Sequence, residues 1–146
     1  MEDFRILVVD DEKDFLDTIV KRLLKRNLYV EGAESGDKAV ELITKGNFDV
    51  VLLDVKMPGM DGVETLREIK KIKPLTEVIM LTGHASVESG IEGMKLGAFD
   101  YLMKPMELDQ LFEKLKDAFE KKHLQELRIE DAKVRHTMMY PPRGGA

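Results

Sequence analysis

The sequence predicts a doubly wound α/β domain built on a five-stranded parallel sheet of order 2-1-3-4-5. Three observations carry that prediction. Short apolar runs recur along the chain: Ile6-Leu7-Val8-Val9, Val50-Val51-Leu52-Leu53, Val78-Ile79-Met80-Leu81 and Tyr101-Leu102-Met103. Near-continuous runs of this kind mark strands buried on both faces, as in parallel sheets. Segments of helical periodicity separate them, so strand and helix alternate. Each run also stops at a polar residue: Asp10-Asp11, Asp54, Thr82 and Lys104. Right-handed crossovers restrict the strand orders, and the order 2-1-3-4-5 sets the first and third strands side by side where the winding reverses.

The elements follow in order. Residues 14–26 carry Phe15, Leu16, Ile19, Val20, Leu23 and Leu24, the apolar stripe of a first helix that stops at Asn27. Residues 28–31 form a short second strand. Ser35 caps a helix that runs to residue 44, with Ala39, Val40, Leu42 and Ile43 apolar and Gly46 closing it. The third strand ends at Asp54. Met57-Pro58-Gly59-Met60-Asp61-Gly62 is a loop of turn residues, and Asp61 with Glu64 three positions on makes a capping-box-like helix start. Val63, Leu66, Ile69 and Ile72 form one face of that helix, which Pro74 ends.

After the fourth strand, residues 86–95 form a helix containing Gly90 and Gly93. Each glycine costs about 1 kcal/mol against Ala in a helix interior, so this is the helix expected to be least stable. Gly97 closes it, and the fifth strand begins near Phe99. The last helix starts near Glu107 with Leu108, Leu111, Phe112, Leu115, Ala118 and Phe119 on its apolar face; Leu124, Leu127 and Val134 prolong a weaker pattern. Pro141-Pro142-Arg143-Gly144-Gly145-Ala146 cannot continue a helix and is expected to be disordered.

Composition bounds what such a domain does. The 146 residues are 43% hydrophobic and 35% charged, which fits one soluble globular core. No cysteine is present, which excludes disulfides, thiolate metal sites and a cysteine nucleophile and is compatible with the cytoplasm. The N-terminal residues lack the basic flank and apolar stretch of a signal peptide, and no run approaches the roughly 18 apolar residues of a membrane span. A net charge of −5 with scattered Lys and Arg gives no basic footprint for direct nucleic-acid binding.

Parallel strands end on one edge of the sheet, so three carboxylates, a hydroxyl and an ammonium converge in one crevice. Asp10, Asp11 and Asp54 cannot sit together unneutralised: at least one pKa rises, or a cation enters. Hard oxygen ligands without Cys or His suit Mg²⁺ better than zinc, and Ca²⁺ calls for more oxygens. Carboxylates with Mg²⁺, Lys104 and the Thr82 hydroxyl form a set suited to a phosphoryl group, with Asp54 able to act as nucleophile. Taken singly, each has a plainer reading. Asp-Asp before a helix commonly caps it, and Thr82 or Lys104 alone is an ordinary strand-end residue. His84, His123 and His136 have no spacing that suggests a metal and read as surface residues.

Asp10-Asp11, the segment Asp54-Val55-Lys56-Met57-Pro58-Gly59-Met60-Asp61-Gly62, Thr82-Gly83 and Tyr101-Leu102-Met103-Lys104-Pro105 together resemble the receiver domain of bacterial two-component response regulators. The resemblance spans residues 5–121 in order and spacing, and the stretch from Leu81 to Pro105 is most similar to receivers of sigma-54 activators. It implies a flavodoxin-like receiver domain over 1–121, followed at 122–146 by a helical extension and disordered tail. It also implies a cytoplasmic phosphoprotein, with Asp54 phosphorylated from a sensor histidine kinase or histidine phosphotransfer protein. Asp11, Asp54 and the backbone carbonyl of Lys56 would ligate Mg²⁺, with Asp10 acting through water. Thr82 and Tyr101 would be the switch pair, Pro105 would follow a cis peptide, and Lys56 and His84 would tune the lifetime of the phosphoryl group.

Such a module is a switch rather than an enzyme, apart from assisting its own phosphorylation and slow dephosphorylation. Two other readings stay open here. One is a binding scaffold of this fold without phosphoryl chemistry. The other is a phosphohydrolase, although the second Asp its signature places two residues past the nucleophile is replaced by Lys56. With about 25 residues beyond Lys121, too few for an ordinary effector domain, output of a stand-alone receiver would fall to a partner protein or to pairing of the extended last helix; a solvated trailing helix and a piece of a larger regulator are the alternative readings.

Overall fold

The computed structural model describes residues 4–83 and 87–142. Strands β1 (Arg5–Val9), β2 (Tyr29–Ala33), β3 (Val50–Asp54), β4 (Glu77–Thr82) and β5 (Asp100–Met103) alternate with helices α1 (Lys13–Leu24), α2 (Gly36–Lys45), α3 (Gly62–Ile72), α4 (Val87–Lys95) and α5 (Leu108–Met139). The five strands form one parallel sheet in the predicted order β2-β1-β3-β4-β5. Val9 stands opposite both Ala33 and Leu53, and Asp54 opposite Leu81, so the polar strand ends reach the same edge.

The alternation of side chains along each strand divides the core in two. On one face, Leu16, Ile19 and Leu23 of α1 and Leu111, Leu115 and Ala118 of α5 pack on Ile6, Val8, Leu52, Ile79 and Leu81. On the other, Ala39 and Ile43 of α2 and Leu66 and Ile69 of α3 pack on Leu7, Val9, Val51, Leu53 and Met80. Both faces are covered, which is why β3 and β4 are apolar without alternation. Each fully buried Val or Leu contributes roughly 1.5–3 kcal/mol against its exposed state.

Several boundaries differ from the sequence reading for local reasons. Strand β2 begins one residue later than predicted and runs two residues further. Asn27 adopts a left-handed conformation (φ 60°), so Leu28 enters the core from a turn rather than from a strand. Gly32 lies within the strand and beneath α1, where a Cβ would stand 3.2 Å from Leu16 Cδ1, a tight contact. The predicted caps form: Ser35 Oγ accepts from Lys38 N at 3.1 Å, and Asp61 Oδ1 from Glu64 N at 2.9 Å. Gly97 leaves α4 with φ +102°.

Helix α5 is continuous over 32 residues, well past the apolar face that seats it. Its last fully buried residue is Ala118, and every residue from 126 to 139 is exposed. Lys121 and Lys122 root the exposed part, bridging to Glu77 at 3.2 Å and Asp49 at 3.1 Å on the opposite edge of the sheet from the crevice. The predicted start of α4 at Ser86, and His84 before it, lie outside the described residues.

Both interior glycines of α4 are buried against the sheet. A Cβ at Gly90 would lie 2.9 Å from Thr82 Cγ2, and one at Gly93 would lie 3.1 Å from Met80 Cγ. Glycine thus lets α4 sit closer to β4 than any other residue would, at the cost of intrinsic helix stability. Amides of residues 88–95 are expected to exchange with deuterium faster than those of α3 in the unphosphorylated protein. Native-state exchange followed by NMR checks this, and equal protection of the two helices counts against it.

Candidate functional site

The ends of β1, β3 and β5 build the crevice, with the end of β4 beside them. Asp10 follows β1, fully buried, and both its carboxylate oxygens are occupied. Oδ1 accepts from the backbone N–H of Glu12 at 2.9 Å, and Oδ2 accepts from Lys104 Nζ at 2.6 Å. The first bond is the local turn that short acidic side chains make before a helix. The second reaches across 94 residues of sequence. Asp10 thus makes a local turn ahead of α1, whose N-cap is Glu12, with one oxygen, and faces the crevice lysine with the other.

Asp54 closes β3 and is 7% exposed. Its Oδ1 lies 3.5 Å from Lys104 Nζ. Asp11, next to Asp10, is exposed and turns a carboxylate oxygen into the same space. One ligand oxygen from each of Asp10, Asp11 and Asp54 falls within 4.8 Å of the others. Gly62 fixes the floor: its N–H donates to Val55 O at 2.9 Å, and a Cβ there would stand 2.4 Å from Asp54 O. Only glycine lets the start of α3 close on the end of β3, and this close approach is invisible in the loop composition.

Lys104 arrives from the end of β5. Its backbone N–H donates to Thr82 O at 2.6 Å, extending the β4–β5 ladder, and the Lys104–Pro105 peptide is cis. The side chain is 19% exposed. Burial works against the ammonium, but the Asp10 hydrogen bond and the Asp54 and Asp10 charges outweigh it and hold its pKa above the usual lysine value.

Thr82 is fully buried at the end of β4, and its hydroxyl donates to Leu102 O at 3.4 Å. Tyr101 is half-buried one strand over, with its ring root 3.6 Å from the Cβ position of Gly90. Lys56, two residues past Asp54, has an exposed side chain. The structure thus brings Asp10, Asp11, Asp54 and Lys104 together directly and sets Thr82 at the neighbouring strand end with its hydroxyl on Leu102. His84 lies outside the described residues.

The electrostatics are those of an under-neutralised pocket. Burial, reinforced by the Asp10 charge, pushes the Asp54 carboxyl up to about 6; Lys104 pulls the other way and Asp11 adds a further push. Three hard carboxylates facing one ammonium fit a divalent ion of the Mg²⁺ type by donor chemistry as well as by charge. Asp11 is the exposed member through which such an ion would be reached from solvent.

A doubly wound α/β sheet of order β2-β1-β3-β4-β5 with an acidic, lysine-closed crevice at its topological switch point has the architecture of a receiver domain. The chain is a member of the response regulator receiver domain family, which it matches over residues 6–116, and so is a receiver of a two-component system. It is 44% identical over 119 residues to transcriptional regulatory protein ZraR of Escherichia coli K12, covering 81% of this chain and 27% of that protein. It is 40% identical over 112 residues to regulatory protein AtoC of the same strain, covering 73% and 23%. The chain spans about a quarter of the length of these curated relatives. A response regulator receiver domain protein from Clostridium thermocellum superimposes with a TM-score of 0.80 at 40% identity, covering 84% of this chain and 98% of that one.

The raised Asp54 pKa has a consequence for stability. Unfolded, the group titrates near 3.8; folded, near 6, so the native state holds the extra proton between those values. Stability contributed by this group is therefore lost as pH rises from about 4 to 6 and stays lost above. Asp54→Asn is expected to stabilise the divalent-free protein by on the order of 2 kcal/mol at about pH 7.5 and by little below about pH 4. Urea unfolding of both proteins with a chelator at the two pH values measures this.

Proposed function

We propose that this chain is a phosphorylation-activated switch that accepts a phosphoryl group on Asp54. The single observation that carries the reading is the placement of Asp54: buried, charged above its comfort by two neighbouring acids, and within 3.5 Å of one ammonium. A carboxylate so placed gains from any group that brings a cation and spreads its charge. The donor is a phosphohistidine of a sensor histidine kinase or histidine phosphotransfer protein, as receiver membership supports.

In the transfer, an Asp54 carboxylate oxygen forms the new O–P bond while the N–P bond of the donor breaks. The electron pair leaves with the donor imidazole, which takes its proton from solvent. Lys104 holds one equatorial oxygen of the phosphoryl group, moving from Asp10 Oδ2 over a short distance to do so. Thr82 gives up Leu102 O and donates to a second oxygen. Asp11, Asp54 and the Lys56 carbonyl would hold Mg²⁺, with Asp10 acting through water. Bound there, the ion supplies neutralisation of the surplus carboxylates and of the phosphoryl oxygens.

Turnover is slow because Lys56 stands where a phosphohydrolase keeps an acid to activate water; Lys56 and His84 set the lifetime of the acyl phosphate. Tyr101 is the second member of the switch. Its ring follows the Thr82 hydroxyl inward, and the face made by α4, β5 and α5 changes for a protein partner. The reading includes a cytoplasmic location and no direct contact with nucleic acid or membrane. Among the described residues no helix is long and apolar enough to cross a membrane.

The test is phosphoryl uptake from acetyl phosphate with Mg²⁺, read by intact mass. Incorporation of one phosphoryl group, stable over minutes and abolished by Asp54→Ala or by chelation, is the expected result. Uptake that survives Asp54→Ala excludes the assignment. Rapid multiple turnover on phosphomonoesters favours a hydrolase, and absence of any uptake favours a scaffold.

Output through the long α5 is the second part of the reading. Leu124, Leu127 and Val134 are about half exposed on a helix that has left the domain. Their three- and seven-residue spacings permit pairing with a second copy. Beryllofluoride activation with Mg²⁺ is expected to shift the protein toward dimer in size-exclusion with light scattering, and Leu127→Glu to abolish the shift. A monomer under both conditions assigns output to a different partner.

A further inference from the structure

We infer that Phe15 is a positioning residue for Lys104, holding its ammonium in the crevice through the face of the aromatic ring. The inference rests on the proposed role of Lys104 in taking the phosphoryl group. Lys104 Nζ lies 4.2 Å from the centroid of the Phe15 ring. The same nitrogen is 2.6 Å from Asp10 Oδ2 and 3.5 Å from Asp54 Oδ1. The ammonium thus has two carboxylates and one π face among its neighbours.

Phe15 stands in the first turn of α1, half-buried against the core face that contains Leu16 and Ile19. The apolar stripe accounts for a large hydrophobic side chain at this position. It does not account for a ring with its face on the ammonium, since a leucine packs as well. The chemistry does account for it. A lysine has a flexible four-carbon stem and a strongly hydrated head, so a crevice open to water loses it readily to solvent. A second acceptor would pin the head but would then have to be abandoned when the phosphoryl oxygens arrive. A ring attracts the charge without a directional hydrogen bond. The ammonium can therefore slide from Asp10 to the phosphoryl group while keeping the same aromatic partner.

The experiment uses the full chain with Phe15→Leu and Phe15→Tyr. Three quantities are measured: uptake rate from acetyl phosphate at saturating Mg²⁺, thermal unfolding, and the NMR shift of the Lys104 ε-methylene protons. The Leu variant is expected to take up phosphate about three- to tenfold more slowly with its melting temperature nearly unchanged, and the Tyr variant to retain the native rate. In the unphosphorylated native and Tyr proteins the ε-methylene protons should resonate upfield of those of exposed lysines, and in the Leu variant they should not. A native rate in Phe15→Leu, or an ordinary ε-methylene shift in the native protein, overturns the inference. Should the native protein take up no phosphate at all, the proposed function fails, and the ring-current shift alone still decides whether Phe15 holds Lys104.

Discussion

The structure depends on a charge imbalance kept at one edge of the sheet. Three carboxylates share a crevice with one ammonium, and the one on β3 is buried. The opposite edge shows how the same protein buries acids when they only support the fold. Glu77, nearly buried, is bracketed by Lys70 at 3.7 Å and Lys121 at 3.2 Å. Asp49 accepts from Lys122 and from the backbone N–H of Arg5. Each of these acids has a lysine of its own, while among the described residues Asp10 and Asp54 share Lys104. An isolated buried charge costs several kcal/mol, so an under-neutralised group persists where a ligand supplies the missing charge.

Sheet geometry produces this imbalance from residues far apart in sequence. Parallel strands in register deliver their carboxyl-terminal residues to one rim, and the reversal of winding between β1 and β3 opens the gap they face. The two ends of the sheet also differ in what they anchor. At the crevice, Asp10, Asp11 and Asp54 turn carboxylate oxygens toward one another. At the other rim, Lys121 and Lys122 tie α5 to β3 and β4 before the helix leaves the domain. The exposed part of α5 is therefore rooted by those ion pairs just beyond its last core contacts, Ala118 and Phe119, the Phe119 ring lying 4.6 Å from that of Phe4.

The strand ends were the most legible feature of the sequence, because an apolar run that stops at Asp, Thr or Lys states both a buried strand and its exit. Asp10, Asp54, Thr82 and Lys104 can be read that way and matched to one another through the predicted strand order. Contacts set by absence of a side chain cannot. Gly62 looks like a turn residue, yet it is the position where α3 touches the Asp54 carbonyl. Gly90 and Gly93 look like helix liabilities, yet they let α4 lie on Thr82 and Met80. Phe15 is hidden in a helical stripe whose periodicity already calls for an apolar side chain there and carries no sign of the lysine. The extension of α5 is legible as well: Leu124, Leu127 and Val134 carry a weaker pattern past residue 121, Pro141 forbids going further, and the helix ends at Met139.

The glycine contacts bear on how a local event at Asp54 can travel. Phosphorylation adds roughly −1.5 to −2 charges, and such a change shifts a conformational equilibrium only through contacts that differ between its two states. Thr82 has two faces suited to that. Its hydroxyl is held by Leu102 O, a single neutral bond that a phosphoryl oxygen can outbid. Its methyl lies under Gly90, at a spacing that leaves no room for a side chain on α4. Rotation of Thr82 toward the crevice therefore vacates space directly beneath α4 and beside the Tyr101 ring. The helix above is the one with two interior glycines, so it deforms at lower cost than α3 or α5. In the proposed switch, coupling needs no long relay: the residue that senses the phosphoryl group is already in contact with the helix that responds.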